Sequence, residues 1–261
     1  MSSSTVIVIV TPQQLGALRR TSAVPAHMAY RMGKGPHLFR SGGPAAPRGG
    51  LMVLDCSGFD GAGDAAPFCR EVVQECRARN FSGVICDFEG GPLPFLAGLL
   101  HQLEQACLRA GLDLLVPESY APHTEKARVL VSSALSGGSL VQRLEEARDR
   151  FGGRTVLALQ RTAEDFFLPS PSGCGEPLSR EELHRRMDRL RPAVFFSREL
   201  CARYFTYMSR ESGAHFVLFD DKDTLAKKLE VARSLGISTA VAAFPEVQDA
   251  LDSLGLRPSP R

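Results

Sequence analysis

Short apolar runs alternate along this chain with segments of helical periodicity, and this alternation constrains the fold more than any other feature. Strand-like runs such as VIVIV at 6–10 and SGVICDFE at 82–89 are separated by amphipathic segments such as PFCREVVQECRARN at 67–80. Further strand-like runs lie at 27–32, 50–57, 112–119, 127–134, 154–160 and 237–244, and further helical segments at 94–111, 140–152 and 223–236. Strands that alternate with helices form parallel β–α–β units, and eight such strands close into a barrel. The pattern therefore predicts an α/β fold of the (β/α)8 TIM-barrel class.

One strand-like run is left over once eight are assigned to the barrel. This run, AHFVLFDD at 214–221, follows a Pro/Ser/Gly-rich loop and a helix that begins at Ser179, where Ser179 and Glu182 have the spacing of a capping box. We therefore expect a single barrel domain over residues 1–261, with a small α+β insertion at about 161–221 between strand seven and the last helix. The connection before the strand at 127–134 is too short for a full helix.

Composition excludes several classes of partner and cofactor. The chain has 31 basic and 29 acidic residues, so its net charge of +2 favours neither nucleic acid nor an anionic membrane. Seven cysteines without CxxC spacing predict reduced thiols in a cytosolic protein rather than a disulfide framework or a zinc site. The histidines lack metal-ligand spacing, the acidic run around Asp221 precedes a helix and predicts capping and ion pairing, and phosphate-loop patterns are missing. We expect no metal and no cofactor.

The N-terminal and hydropathy patterns predict a cytoplasmic location. The first apolar run has only five residues and no preceding positive charge, which is typical of a strand rather than a signal peptide. No apolar stretch approaches the roughly 20 residues that a membrane-spanning helix needs. G-x-S-x-G is also missing, so the sequence gives no argument for a Ser/His/Asp hydrolase.

The segment GVICDFEGG at 83–91 ends the fourth predicted strand with two carboxylates. Because successive side chains of a strand point to opposite faces, Ile85, Asp87 and Glu89 share one face. Active sites of barrels lie at the C-terminal ends of the strands, where these acids stand. A carboxyl group beside a second one can keep its proton at neutral pH and act as a general acid. The same spacing also fits an ordinary strand end, with Asp87 capping the next helix and Glu89 in solvent.

This strand resembles the D-G-x-D-x-D-x-E strand of glycoside hydrolase family 18, of whose four acids the chain keeps only the last Asp and the Glu. The resemblance is nearest to the small branch that includes spore-cortex-lytic and peptidoglycan-acting enzymes. RTVLALQRTAEDF at 154–166 and the long segment at 205–244 are similar to later parts of the family, so the similarity in order covers about residues 50–245.

The resemblance implies an activity and roles for both acids. In the family, the glutamate at the position of Glu89 protonates the glycosidic oxygen. The N-acetyl group of the substrate attacks the anomeric carbon, and the aspartate at the position of Asp87 orients that amide, so the mechanism is retaining and substrate-assisted. The implied partner is a glycan or peptidoglycan fragment that contains N-acetylglucosamine, and the implied setting is sporulation.

The chain also departs from the family. Ser82 and Ile85 replace the first two acids of the motif, and residues 132–135 replace the M-x-Y-D pattern whose tyrosine holds the acetamido group. The chain contains no tryptophan, although family members commonly have one at the end of the eighth strand, where this chain has Phe244.

Four other residues are candidates for contacts with sugar at the ends of predicted strands. Tyr120 could replace the missing tyrosine or pack at the rim, and Phe244 could stack on a sugar ring. Asp55 could bind sugar or cap its own loop, and Gln160 could hydrogen-bond a glycan. These alternatives leave two hypotheses of different classes: a glycoside hydrolase with Glu89 as its acid, or a catalytically inactive barrel that serves as a glycan-binding or assembly module. An unrelated barrel enzyme that uses the same strand ends is a third.

Overall fold

Eight parallel strands close into a barrel, which confirms the predicted fold class. The structure is a computed structural model that describes residues 4–41, 47–88, 93–170 and 173–256. The barrel strands are β1 (Thr5–Val10), β2 (Val24–Met32), β4 (Leu51–Asp55), β5 (Gly83–Asp87), β6 (Asp113–Pro117), β7 (Arg128–Ser132), β8 (Thr155–Ala158) and β14 (Thr239–Ala243). Each strand is paired with the next in this order, and β1 pairs with both β14 and β2, which closes the ring. A short strand, β3 (Leu38–Arg40), runs antiparallel to β2.

Helices connect most of the barrel strands. They are α1 (Leu15–Leu18), α2 (Ala65–Arg79), α3 (Pro94–Ala110), α4 (Leu140–Phe151) and α6 (Lys222–Ser234), with 3₁₀ turns at Glu118–His123 and Gly152–Arg154. A short helix, α7 (Phe244–Val247), follows β14. Only a 3₁₀ turn joins β6 to β7, as the short connection in the sequence predicts. Within the described ranges, none of the helices combines the length and the apolar character needed to cross a bilayer.

The expected α+β insertion lies between β8 and α6. It contains a five-stranded antiparallel sheet and one helix: β9 (Ala163–Leu168), β10 (Glu176–Pro177), α5 (Arg180–Leu190), β11 (Phe195–Ser197), β12 (Ala202–Ser209) and β13 (Gly213–Phe219). Ser179 caps α5 by accepting a hydrogen bond from the amide of Glu182 at 3.1 Å. The reciprocal half of the capping box does not form, because the carboxylate of Glu182 pairs with Arg185 and Arg186 instead.

The interior of the barrel is aliphatic below a polar rim. Ile7, Ala26, Leu51, Val53, Ile85, Leu115, Val156 and Val241 form one buried cluster in this interior. Two larger clusters fill the layer between the strands and the helices. Side chains alternate along a strand, so a residue in the interior cluster is followed by one that points outward toward the helices, and the next points inward again. This rule assigns the residues at the mouth, which is the end of the barrel where the parallel strands finish.

The cysteines lie mostly in the outer layer. Five of the seven are buried, and none forms a disulfide. Burial raises the pKa of the Cys69 thiol to about 11 and the pKa values of Cys76 and Cys107 to about 12. Such thiols stay protonated at neutral pH and behave as small apolar side chains.

A buried ion pair fixes the junction between the insertion and the last long helix. The ammonium group of Lys228 in α6 donates to a carboxylate oxygen of Asp220 at 2.5 Å, and both side chains are almost completely buried. Asp220 also accepts the amide of Thr162 at 2.8 Å and the hydroxyl of Thr224 at 2.8 Å. The two ends of the insertion and α6 therefore meet at one carboxylate.

Replacing Lys228 tests this junction. We expect Lys228→Met to lower the free energy of unfolding by about 3–5 kcal/mol, because it leaves the carboxylate of Asp220 buried and unpaired. The double variant Asp220→Asn/Lys228→Met should lose less, since it removes both charges. Lys222→Met, at an exposed position of the same helix, is the matched control. Urea denaturation measures all three, and equal stability of Lys228→Met and the control would contradict the assigned role.

Candidate functional site

Two carboxylates lie side by side at the mouth of the barrel. Asp55 ends β4 and Asp87 ends β5, and the two are partners in the register of these parallel strands. Val53 and Ile85, two residues earlier, belong to the interior cluster, so both acids point toward the barrel axis. Both side chains are partly exposed. The predicted mouth position of Asp55 and Asp87 therefore follows from the strand geometry.

Asp55 holds the start of its own loop. Its carboxylate accepts the amide of Ser57 at 2.8 Å and the hydroxyl of Ser57 at 2.5 Å. This arrangement is the loop-capping role that the sequence left open for Asp55. These two hydrogen bonds use both carboxylate oxygens. Because a carboxylate has about four acceptor positions, Asp55 can still accept further hydrogen bonds at the rim.

An arginine that the sequence analysis missed completes a charged row. Arg31 in β2 is the register partner of Asp55, so Arg31, Asp55 and Asp87 follow one another across three adjacent strands. The register of β2 shifts between Met28 and Tyr30, which reverses the expected alternation. Tyr30 consequently points outward, where its hydroxyl donates to Glu75 on α2 at 3.0 Å, and Arg31 takes the mouth side.

Glu89, the predicted general acid, lies outside the described residues. The part of the chain that is described stops at Phe88 and resumes at Leu93. Phe88 is buried in the outer layer and meets Tyr120 edge-on, with ring centroids 5.7 Å apart. Cys86 and Phe88 therefore share one face of the strand and Asp87 lies on the other, as the sequence predicts.

The placement of Tyr120 corrects one expectation. Its side chain is 0% exposed within the outer cluster, and its hydroxyl accepts the amide of Leu93 at 3.3 Å, just before α3. Burial raises the pKa of this hydroxyl. Tyr120 therefore packs beneath the start of α3 and does not replace the family tyrosine at the mouth.

Gln160 lies at the rim as expected, with a serine as its partner. Its side-chain oxygen accepts the hydroxyl of Ser132, at the end of β7, at 2.6 Å. Its backbone amide donates to the hydroxyl of Ser133 at 3.0 Å. The interior positions of Leu130 and Val156 place Ser132 and Gln160 on the axial side. A serine–glutamine pair thus lies at the end of β7, where residues 132–135 replace the M-x-Y-D pattern.

Phe244 does not form the floor of the mouth. Val241 is an interior residue, so Ala243 faces the axis and Phe244 faces the opposite way. Phe244 is partly buried against the outer cluster at the start of α7. Phe244 thus begins α7 directly after β14, and its ring faces away from the mouth, where a stacking residue was expected.

Arg161 and Glu246 hold the insertion against the end of the barrel. The carboxylate of Glu246 accepts the amide of Arg161 at 2.9 Å, and Asp249 pairs with both Arg161 and Arg180. These groups line a pocket of about 840 Å³ between α5 and α7. Because the guanidinium groups are already paired with carboxylates, this pocket has no strong preference for an anion.

No metal centre is visible in the described portion of the chain. Residues 4–41, 47–88, 93–170 and 173–256 contain no group of three or more His, Cys, Asp or Glu side chains that could hold an ion. The acidic run before α6 acts in capping: Asp221 accepts the amides of Asp223 and Thr224 and completes a capping box with Thr224.

Comparison with known proteins identifies the fold. A chitinase from Chromobacterium violaceum superposes with a TM-score of 0.66 and 16% identity over 98% of this chain and 100% of its own. The spore cortex-lytic enzyme SleL of Bacillus megaterium superposes with a TM-score of 0.63 and 14% identity over 92% of this chain and 70% of its own. A family 18 N-acetylglucosaminidase from Paenibacillus barengoltzii superposes with a TM-score of 0.61 and 13% identity over 97% of this chain and 99% of its own. No family model and no curated protein sequence matches the chain. The fold is therefore similar to that of glycoside hydrolase family 18.

Tyr120→Phe tests whether Tyr120 has only a core role. We expect it to lower the free energy of unfolding by about 1 kcal/mol, because the amide of Leu93 loses its acceptor, and to leave glycan affinity unchanged. Tyr204→Phe, in the insertion sheet, is the control and should change stability by less than about 0.5 kcal/mol. Chemical denaturation and a glycan titration measure both quantities. Weaker glycan binding with unchanged stability would place Tyr120 in the site.

Proposed function

We propose that this protein hydrolyses glycans that contain N-acetylglucosamine, with Glu89 as the general acid and Asp87 as its partner. The observation that carries the proposal is the position of Asp87 at the end of a barrel strand, facing the axis beside Asp55. The second support is a fold similar to that of chitinases, a spore cortex-lytic enzyme and an N-acetylglucosaminidase.

The proposed mechanism divides the work between the two acids. Glu89, two residues beyond Asp87, donates its proton to the glycosidic oxygen as the bond breaks. The acetamido oxygen of the substrate attacks the anomeric carbon, and Asp87 holds the amide nitrogen and the positive charge that develops on it. Water then opens the cyclic intermediate, with Glu89 taking a proton from it, so the anomeric configuration is retained.

The charged neighbours have supporting roles in this proposal. Arg31 stands next to Asp55 in the register and brings a positive charge to the side of the mouth where the two aspartates lie. Ser132 and Gln160 offer a hydroxyl and an amide on the opposite side of the mouth. Both are neutral hydrogen-bonding groups of the kind that bind sugar hydroxyls.

A second candidate function is a catalytically inactive glycan-binding or assembly module. It is favoured by the burial of Tyr120 and by the outward direction of Phe244, because both remove aromatic groups that a family 18 mechanism uses. A polar rim with Asp55, Asp87 and Gln160 can bind a sugar without the geometry that the reaction needs.

Release of reducing ends distinguishes the two candidates. The substrates are N-acetylglucosamine oligomers and peptidoglycan or cortex fragments. If the chain is a hydrolase, Glu89→Gln should reduce kcat by about 10²–10⁴-fold with little change in KM, since it removes the proton that the leaving group receives. Glu146→Gln, at an exposed position on α4, should retain full activity.

The outcomes separate cleanly. Turnover by the native protein that survives Glu89→Gln would exclude Glu89 as the acid. Saturable glycan binding without turnover, equal in the native and Glu89→Gln proteins and weakened by Asp87→Ala, would identify the binding module. If the protein showed no turnover and no glycan binding, both proposals would be refuted.

A further inference from the structure

A serine, a histidine and an aspartate lie in one hydrogen-bonded line within the insertion. The hydroxyl of Ser212 is 2.7 Å from Nε2 of His215. On the other side of the ring, Nδ1 of His215 is 3.0 Å from both carboxylate oxygens of Asp165. Because a carboxylate only accepts, Nδ1 carries the proton and Nε2 accepts from the serine. This is the order of nucleophile, base and orienting carboxylate found in serine hydrolases.

Strand pairing brings these residues together. His215 in β13 pairs with Phe167 in β9, and Asp165 lies two residues from Phe167 on the same face. Ser212 belongs to the turn between β12 and β13. The nucleophile and base are thus three residues apart, while the carboxylate comes from about 50 residues earlier, so no local sequence pattern predicts the set.

The surroundings hold the histidine in one orientation. His215 is 3% exposed, and the ring of Tyr207 stacks on it at 4.4 Å with an interplanar angle of 13°. Asp165 is 2% exposed, pairs with Arg186 and accepts the Tyr207 hydroxyl at 3.4 Å. Ser212, in contrast, lies at the surface. A fixed buried base behind an exposed hydroxyl is what nucleophilic attack requires.

Two backbone amides converge beside the serine. The amides of Glu211 and Ser212 both point to the hydroxyl oxygen of Ser209, each at 3.3 Å. These bonds are long, and they aim two N–H groups, one of them from the nucleophile itself, at a single oxygen. Both amides are occupied by Ser209, so they serve as donors to an oxyanion only if the Ser209 side chain rotates away from them.

The surface around the turn indicates the kind of acyl group. Phe167 lies next to His215 on the same face of the sheet, with ring centroids 4.5 Å apart, and its side chain is 39% exposed. Leu168 and Met208 are also exposed, but they lie on the opposite face of the sheet. The exposed ring of Phe167 is therefore the apolar surface beside the histidine that an acyl chain can contact.

We propose that Ser212 is an activated nucleophile that is acylated by esters with an apolar acyl chain. The oxygen of Ser212 attacks the ester carbonyl as its proton passes to Nε2 of His215. The tetrahedral intermediate collapses, the bond to the alcohol breaks, and the alcohol leaves with the proton from Nε2. Water then repeats the cycle on the acyl-serine and releases the carboxylic acid, so no oxidant or cofactor is needed.

Covalent labelling of the full-length protein tests the proposal. A fluorophosphonate probe should label the native protein at Ser212, identified by peptide mass spectrometry, at least about tenfold faster than the exposed serine Ser234, which has no histidine partner. Ser212→Ala should abolish the label without unfolding, because the side chain is exposed. With p-nitrophenyl octanoate the same serine should become acylated faster than with p-nitrophenyl acetate.

A second variant avoids dependence on the probe. In Ser212→Cys, the thiol beside His215 should react with iodoacetamide at pH 6 at least about tenfold faster than Cys174, an exposed thiol of the same chain. Equal rates at the two thiols, or a fluorophosphonate label spread evenly over exposed serines, would overturn the proposal. Neither result affects the proposed hydrolysis of glycans, because that proposal is tested by different variants, at Glu89 and Asp87.

Discussion

Closure of a parallel sheet on itself is the constraint on which the rest of this structure depends. When β1 pairs with both β14 and β2, every barrel strand finishes at the same rim, so one residue from each strand end is delivered to a common mouth. The aliphatic cluster beneath the rim fixes which side of each strand faces the axis. The juxtaposition of Asp55 and Asp87 requires no special local structure, because it follows from closure and from a side-chain period of two.

The insertion is attached to this rim by polar groups rather than by a large apolar contact. Asp220 and Lys228 form the buried attachment, and Arg161 and Arg180 share Asp249 at its edge. Removing Lys228 or Asp220 leaves a buried charge unpaired, whereas Asp249 keeps one arginine when the other is removed, so the attachment is most sensitive to substitution at the buried pair. The sheet of the insertion has its own apolar cluster, in which Phe205 and Val217 pack against Leu183 of α5.

Much of the barrel could be predicted from the sequence, and the reasons for the failures are physical. Apolar runs bounded by turn residues gave the barrel strands, and helical periodicity gave α2, α3, α4 and α6 to within a few residues. Tyr120 and Phe244 were assigned to the wrong environment because neither lies in its strand. Tyr120 belongs to the 3₁₀ turn after β6 and is buried in the outer layer, and Phe244 begins α7 and packs against the outer cluster. The strands of the insertion other than β13 were not assigned, because their aromatic and charged residues lack a clear alternation.

The register irregularity in β2 has a consequence for how such a mouth can change during evolution. In a regular strand the inward Met28 would be followed on the same side by Tyr30, and an aromatic ring would border Asp55. The extra residue exchanges that ring for the guanidinium of Arg31 while the fold and the neighbouring strands stay as they are. A change of one residue in strand length, without any substitution, can therefore convert an aromatic rim into a charged one.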